Sequence, residues 1–142
     1  MTGRRLGVGA ATLSALLVGA SGSVVSAGHA MADPAMHHVK YTVTAQNPIY
    51  TDIYYLDHQP EKFSDYSHNP YSFTPHVDVD LGPGKPWSFE LDMSDPDDYA
   101  MVVASTGTEP GTPGLHCELA VDGAVVVSKD GPKGVLCSLR NW

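Results

Sequence analysis

Alternation of apolar and polar residues is the dominant pattern of this chain after residue 38. Side chains two residues apart in a β-strand point the same way, so this alternation predicts strands with one buried face. The clearest run is Trp87–Met93, in which Trp87, Phe89 and Leu91 would face the core while Ser88 would face solvent. Similar runs predict strands over Val39–Thr44, Ile49–Leu56, His76–Leu81, Tyr99–Ser105 and Val135–Leu139.

The dipeptide Asp122-Gly123 is the strongest turn signal in the sequence. A two-residue type I′ turn needs positive φ at both central positions, which Asp-Gly adopts at low cost. Apolar-rich runs flank the dipeptide, so the pattern predicts a β-hairpin. Regular pairing across this turn would set Cys117 opposite Ser128.

The predicted strands are short, and turns rich in Gly and Pro separate them. No stretch has a helical period of useful length, which indicates an all-β protein. We expect an immunoglobulin-like antiparallel β-sandwich of about seven strands over residues 39–142. Cys117 and Cys137 are the two cysteines of the chain, and both lie in apolar alternation. In an exported protein such a pair predicts one disulfide.

Residues 1–32 have the features of a secretory signal peptide. Two arginines precede the apolar, small-residue run Leu6–Ala20, and Ala30–Ala32 fits a signal-peptidase site. The apolar run is shorter than the roughly 20 residues that span a bilayer comfortably. We therefore expect cleavage after residue 32, a flexible start over residues 33–38, and a secreted or cell-envelope protein. The alternative is an uncleaved N-terminal membrane anchor.

The charge of the chain is strongly acidic, with a formal net charge of −8. Residues 1–32 hold two of the 8 basic residues and none of the 16 acidic ones, so removing them leaves a net charge of −10. A protein with this charge repels phosphate backbones and anionic lipid surfaces. The composition therefore excludes nucleic acid as an expected partner, and no later segment predicts a stable membrane span.

Signals for catalysis are weak in this sequence. It has no Gly-x-Ser-x-Gly motif and no Gly-rich phosphate loop, and both cysteines are accounted for by the disulfide. We predict no catalytic residues, no cofactor and no enzymatic activity. A secreted hydrolase is the alternative, because a Ser-His-Asp triad is defined by geometry rather than by sequence spacing.

Candidate metal ligands are present without a recognised ligand spacing, and we predict no metal site. His37-His38 near the mature N-terminus could bind copper or zinc weakly. Calcium could use an acidic cluster that lacks EF-hand spacing and otherwise forms a solvated turn. This cluster comprises Asp92, Asp95, Asp97 and Asp98.

The segment from His58 to Pro75 has no periodicity and holds a concentration of aromatic residues. Long aperiodic loops in compact domains are often functional, and tyrosine suits recognition surfaces. We therefore predict a binding loop for protein or glycan. Alternatively, its rings fold back and cover one end of the sandwich. The candidate binding residues are Phe63, Tyr66, Tyr71 and Phe73.

Four sequence features follow one another in the order of a known family. They are Pro-Trp-Ser at Trp87, Val-Val-Ala ending at Ala104, Cys117-x-Leu-x-Val-Asp-Gly, and Val-x-Cys ending at Cys137. This order resembles the soluble domain of the mycobacterial small membrane proteins called MmpS, over Val39 to Ser138. The resemblance implies a β-sandwich outside the cytoplasmic membrane that works beside RND-type exporters of lipids or siderophores. MmpS proteins keep a membrane anchor, so the cleavable signal here indicates a divergent, secreted relative.

These observations together predict a secreted, non-enzymatic binding or accessory protein of the actinobacterial cell envelope. The resemblance implies assistance to RND-type export of a lipid or siderophore. The alternative is a freestanding module that binds protein or glycan through the aromatic loop.

Overall fold

The structure is a computed structural model that describes residues 28 and 32–141, and about half of these residues lie in eight β-strands. Apart from positions 28 and 32, the predicted signal peptide lies outside these residues. The strands are β1 (His37–Ala45), β2 (Ile49–Tyr55), β3 (His76–Leu81), β4 (Trp87–Met93), β5 (Met101–Ser105), β6 (Leu115–Val121), β7 (Ala124–Gly131) and β8 (Gly134–Ser138). Two short helices, α1 (Phe63–His68) and α2 (Pro96–Tyr99), and one 3₁₀ turn, Pro70–Ser72, complete the elements.

The strands form two antiparallel sheets of four strands each. Sheet A has the order β4-β1-β6-β7, and sheet B has the order β3-β2-β5-β8. This confirms the predicted antiparallel β-sandwich, with eight strands where about seven were expected. Within the described residues, no helix is long and apolar enough to cross a bilayer.

The core lies between the sheets and is built from the inward side chains of the central strands. Alternation along β1, β2, β5 and β6 buries every second residue, as the sequence predicts. Fully buried members include Val39, Tyr41, Val43, Ile53, Val102, Ala104, Cys117 and Leu119.

A disulfide joins the two sheets through this core. Cys117 on β6 and Cys137 on β8 are bonded, with their Cα atoms 6.1 Å apart and both side chains fully buried. Cys117 pairs with Val43 on β1, and Cys137 pairs with Val102 on β5. The bond therefore connects a central strand of sheet A to the edge strand β8 of sheet B.

Tyr41 provides a polar link between the sheets at the same depth. Its buried hydroxyl donates to the carbonyl of Leu56 at 3.0 Å and accepts from the N–H of Met101 at 3.4 Å. Burial raises the pKa of the Tyr41 phenol far above its usual range, so the group remains a neutral donor. This arrangement satisfies a polar group inside an otherwise apolar core.

The predicted hairpin turn is confirmed, but its register differs from the regular one. Asp122 and Gly123 have φ values of 51° and 84°, as a type I′ turn requires. A bulge follows between β6 and β7, and it sets Cys117 opposite Lys129 rather than Ser128. One extra residue on the bulged strand shifts every later pair by one position.

Two predicted boundaries move because of side-chain hydrogen bonds, and the strand predicted over Tyr99–Ser105 begins at Met101 because Tyr99 lies in α2. β1 begins at His37, inside the segment predicted to be flexible, and His37 Nδ1 lies 2.7 Å from Asp122 Oδ2. The expected acidic turn after β4 is the short helix α2, in which Asp95 accepts a hydrogen bond from the N–H of Asp98. Asp95 therefore acts as a helix cap.

The inward face predicted for β4 is correct, and Met93 is fully buried, but Trp87, Phe89 and Leu91 are only half-buried. β4 is an edge strand of sheet A, so only one neighbour covers it. Trp87 packs against Tyr55 with ring centroids 4.9 Å apart, and Phe89 lies 4.6 Å from the same tyrosine ring. These rings close one side of the sandwich.

We expect removal of the disulfide to destabilise the domain without changing its fold. Replacing both Cys117 and Cys137 by Ala should lower the free energy of unfolding by about 2–5 kcal/mol, because the unfolded chain gains entropy. Urea unfolding of the variant and the parent measures the difference. Reduction of the parent protein should give a similar loss. A loss under about 1 kcal/mol in both experiments would contradict the assigned role.

Candidate functional site

The aromatic segment predicted as a binding loop is folded onto the end of the sandwich. Tyr66, on α1, is only 9% exposed, and it packs between Phe63 at 6.0 Å and Phe73 at 6.3 Å. Phe73 is partly buried against the core. The expectation that Tyr66 forms a surface contact is therefore wrong, because the helix turns its ring inward. Tyr66 and Phe73 instead cover one end of the sandwich, as the alternative prediction states.

Two of the predicted binding residues do reach the surface. Phe63 is 40% exposed, and the guanidinium carbon of Arg140 lies 4.0 Å from its ring centroid. Tyr71, on the 3₁₀ turn, is 77% exposed. The loop thus offers two exposed rings, and the Arg140 guanidinium already makes a cation–π contact with the Phe63 ring.

A different concentration of functional groups lies on the outward side of β2 and β3. We call it the β2–β3 face. These strands pair antiparallel, with Tyr50 opposite Asp80, Asp52 opposite Asp78 and Tyr54 opposite His76. The face therefore comprises Tyr50, Asp52, Tyr54, His76, Asp78 and Asp80.

His76 is the centre of the β2–β3 face. Its Nε2 atom lies 2.7 Å from Oδ1 of Asp78 and 3.6 Å from Oδ1 of Asp52. The imidazole stacks on the Tyr54 ring, with centroids 4.6 Å apart and planes 19° apart. The stacking fixes the ring plane, so Nε2 points into the space between the two carboxylates.

Tyr50 completes this network through its hydroxyl. Partial desolvation, a hydrogen bond to Asp78 and the charges of Asp78, Asp52 and Asp80 raise the pKa of the Tyr50 phenol. The phenol therefore stays protonated and donates to the Asp78 carboxylate. Tyr50 is also 47% exposed, so its ring remains open to a ligand.

The surroundings of the face are apolar on one side and open at one end. Next to β2, the outward residues of β5 and β8 include Val103 paired with Leu136, and Leu136 is 41% exposed. At the other end, Tyr50 and Asp80 border a depression that Lys85 also lines. The face thus combines carboxylates, tyrosine rings and apolar area on one flat sheet.

The sequence shows which residues of β2 and β3 point outward, but strand patterns alone do not show that these residues form one face. The alternations Tyr50-Asp52-Tyr54 and His76-Asp78-Asp80 are both visible as outward positions. What was missing was the pairing of β2 with β3 across the long aromatic segment between them. Without this pairing, neither alternation by itself indicates a cluster.

Chemically, the face can bind a cation or donate and accept hydrogen bonds. Asp52, His76 and Asp78 each offer one ligand atom, and these atoms lie within 4.8 Å of one another. The other histidines suggested for metal binding separate: His37 pairs with Asp122, and His38 Nδ1 lies 2.9 Å from Asp92. Asp92 is therefore engaged with β1, while Asp95 caps α2. The proposed acidic cluster is divided between these two roles.

The outward side of sheet A carries a second histidine network. His116 Nδ1 lies 2.7 Å from Asp130, and its Nε2 lies 3.2 Å from Glu118 and 3.4 Å from the hydroxyl of Ser128. Hydrogen bonds to Asp130 and Glu118 raise the pKa of His116 above its ordinary value of 6.5, against the opposing effect of burial. The imidazolium is therefore the favoured partner of these carboxylates.

We expect the two loop tyrosines to differ sharply in their effect on stability. Tyr66→Ser should lower the free energy of unfolding by about 3 kcal/mol, because it removes a buried ring. Tyr71→Ser should change it by less than about 0.5 kcal/mol, because the ring is exposed. Thermal and urea unfolding of both variants measure this contrast. Equal losses would show that Tyr71 is packed as tightly as Tyr66.

We expect the contribution of His116 to stability to depend on pH. Its folded pKa lies above its unfolded value, so protonation stabilises the fold below about pH 6.5, and this effect is lost as the pH rises through the folded pKa. His116→Gln should therefore lower stability at pH 5.5, by under about 1 kcal/mol for so exposed a pair, and have little effect at pH 9. Urea unfolding at both pH values tests this. An equal loss at both would contradict it.

The chain is similar to a described protein family and to mycobacterial proteins. The family described as Rv2576c beta-sandwich domain matches residues 41–137. The chain is 36% identical over 124 residues to protein Rv2576c of Mycobacterium tuberculosis H37Rv, an alignment that covers 87% of this chain and 80% of the relative. Protein Mb2606c of Mycobacterium bovis shows the same identity and coverage. Both relatives are described as uncharacterized proteins. On this evidence the chain belongs to the Rv2576c β-sandwich domain family.

Proposed function

We propose that this domain is a non-enzymatic binding module of the actinobacterial cell envelope, and that its β2–β3 face binds a positively charged segment of a protein partner. The observation that carries the proposal is the presence of two tyrosine rings and three carboxylates on one sheet surface, with Tyr50 47% exposed. The signal-peptide features of residues 1–32 support a location outside the cytoplasmic membrane.

The charge of the face favours a basic partner. Three carboxylates stand on the outward positions of β2 and β3, and within the described strands none of these positions holds Lys or Arg. Complementary charge speeds encounter and excludes acidic competitors. Because the residues after position 32 carry a net charge of −10, this preference extends beyond the face itself.

The tyrosines would supply the contact area of the interface. Tyrosine offers a large ring and one hydroxyl at low entropic cost, and it is enriched at interface hot spots. The Tyr50 and Tyr54 rings can stack on Arg or Lys groups, which the adjacent carboxylates can also bind. The exposed Leu136 beside them adds apolar area. A basic segment with aliphatic side chains would satisfy all three features.

Site-specific photo-crosslinking tests the proposal in intact cells. A photoreactive phenylalanine analogue in place of Tyr50 should capture a protein partner, and mass spectrometry should place the crosslink in a segment rich in Lys or Arg. The same analogue in place of Val125, an exposed residue on the opposite sheet, is the matched control. Substituting Asp52 and Asp80 by Asn should weaken capture at Tyr50 because the opposing charge is gone.

Three outcomes would overturn this function. Equal crosslinking from the Tyr50 and Val125 positions would mean that the face has no preference. Crosslinks to acidic segments, or capture unchanged in the Asp-to-Asn variant, would contradict the charge argument.

An MmpS-like accessory role is a second proposal, which the sequence order from Trp87 to Cys137 supports. In this role the domain would assist RND-type export of a lipid or siderophore. The same crosslinking experiment separates it from the first proposal. Recovery of a large RND-type transporter would favour the accessory role, while other envelope proteins would favour a freestanding module.

A further inference from the structure

We propose that Asp52, His76 and Asp78 form a binding site for one divalent transition-metal ion of the Zn²⁺ class. The three side chains project from paired strands rather than from loops, so the backbone holds them in a fixed relative position. One imidazole nitrogen and two carboxylate oxygens are ligands that zinc commonly uses. The proposal goes beyond the function above and does not depend on a protein partner.

The distances fit a metal after a small adjustment. Tetrahedral zinc with bonds of about 2.0–2.2 Å places its ligand atoms roughly 3.3 Å apart. The separation between His76 Nε2 and Asp52 Oδ1 is 3.6 Å. Between His76 Nε2 and Asp78 Oδ1 it is 2.7 Å, the length of a hydrogen bond. The Asp78 side chain is 42% exposed, so it has the freedom to rotate outward and admit the ion.

The arrangement of charges also favours a cation at this position. Asp52 and Asp78 are directly opposite each other across the two strands. Like charges in such a pair destabilise a sheet. A divalent ion between the two carboxylates would convert this repulsion into attraction.

A tyrosine ring supports the histidine ligand from outside. The Tyr54 ring stacks on His76, with centroids 4.6 Å apart, and fixes its plane. Supporting contacts of this kind orient metal ligands in known sites. A fourth coordination position faces solvent because all three ligand residues are 40–45% exposed at their side chains. Nitrogen with carboxylate oxygen favours zinc-class ions over calcium or magnesium.

Calorimetric titration of the purified chain with Zn²⁺ alone tests the site. We expect one ion per chain, and His76→Gln, Asp52→Asn and Asp78→Asn should each weaken binding by at least about tenfold. Tyr54→Leu, which removes the ring stacked on His76, should weaken it less while leaving the ligands intact. Asp80→Asn, on the same face outside the cluster, and His38→Gln, at the other histidine candidate, should stay within about twofold of the parent. Ca²⁺ should bind more weakly than Zn²⁺.

Thermal unfolding separates a metal site from a simple ion pair. If Asp78 is a metal ligand, Zn²⁺ should raise the melting temperature of the parent but not that of Asp78→Asn. If Asp78 only pairs with His76, Zn²⁺ should leave the melting temperature of the parent unchanged. Absence of binding, or binding lost in His38→Gln instead of His76→Gln, would overturn the proposal. The crosslinking test reads capture of a protein partner, so absence of zinc binding would leave the proposed function standing.

Discussion

The bond between Cys117 and Cys137 fixes the two sheets face to face, and the rest of the domain depends on this contact. A domain of this size buries only a modest share of its surface. One covalent link between its two sheets therefore supplies stability that a larger apolar core would otherwise provide. The link lies among fully buried side chains, close to the hydrogen bonds that Tyr41 makes to sheet B. Covalent and polar contacts therefore hold the same two layers together. Once these layers are fixed, the outward positions of every strand are determined as well.

The two outward surfaces have different chemistry as a result. Sheet A presents paired charges, such as Lys40 with Glu90 and His116 with Asp130, which largely satisfy one another. Sheet B presents carboxylates without a Lys or Arg on the described outward positions of β2 and β3, together with two tyrosines. The proposed partner and the proposed metal ion both follow from this unbalanced charge. Both sites are also built on paired strands, which hold side chains more rigidly than loops do.

The aromatic segment shows how composition can mislead about function. Its rings suggested a recognition loop, and loops do carry many binding residues. However, one end of a β-sandwich needs a cover, and an apolar ring buried there stabilises the fold more than an exposed one. Tyr66 and Phe73 meet this need, while Phe63 and Tyr71 stay accessible. Because burial depends on the directions in which α1 and the following 3₁₀ turn present these rings, the sequence could not sort the four residues.

By itself, the sequence determined the strands, the turn at Asp122-Gly123, the antiparallel sandwich and the inward residues of β1. These features are local, since a period of two and a turn with positive φ can be recognised within a few residues. Only the tertiary structure decided which strands pair. It also decided the position of the bulge, which sets Cys117 opposite Lys129, and the contact between His76 and Asp52. Such contacts join residues far apart in the chain, and they depend on the register of strand pairing. A shift of one residue in the register would move each side chain of a strand to the other face of the sheet. The candidate site therefore belongs to the fold as a whole, although each of its residues is visible in the sequence.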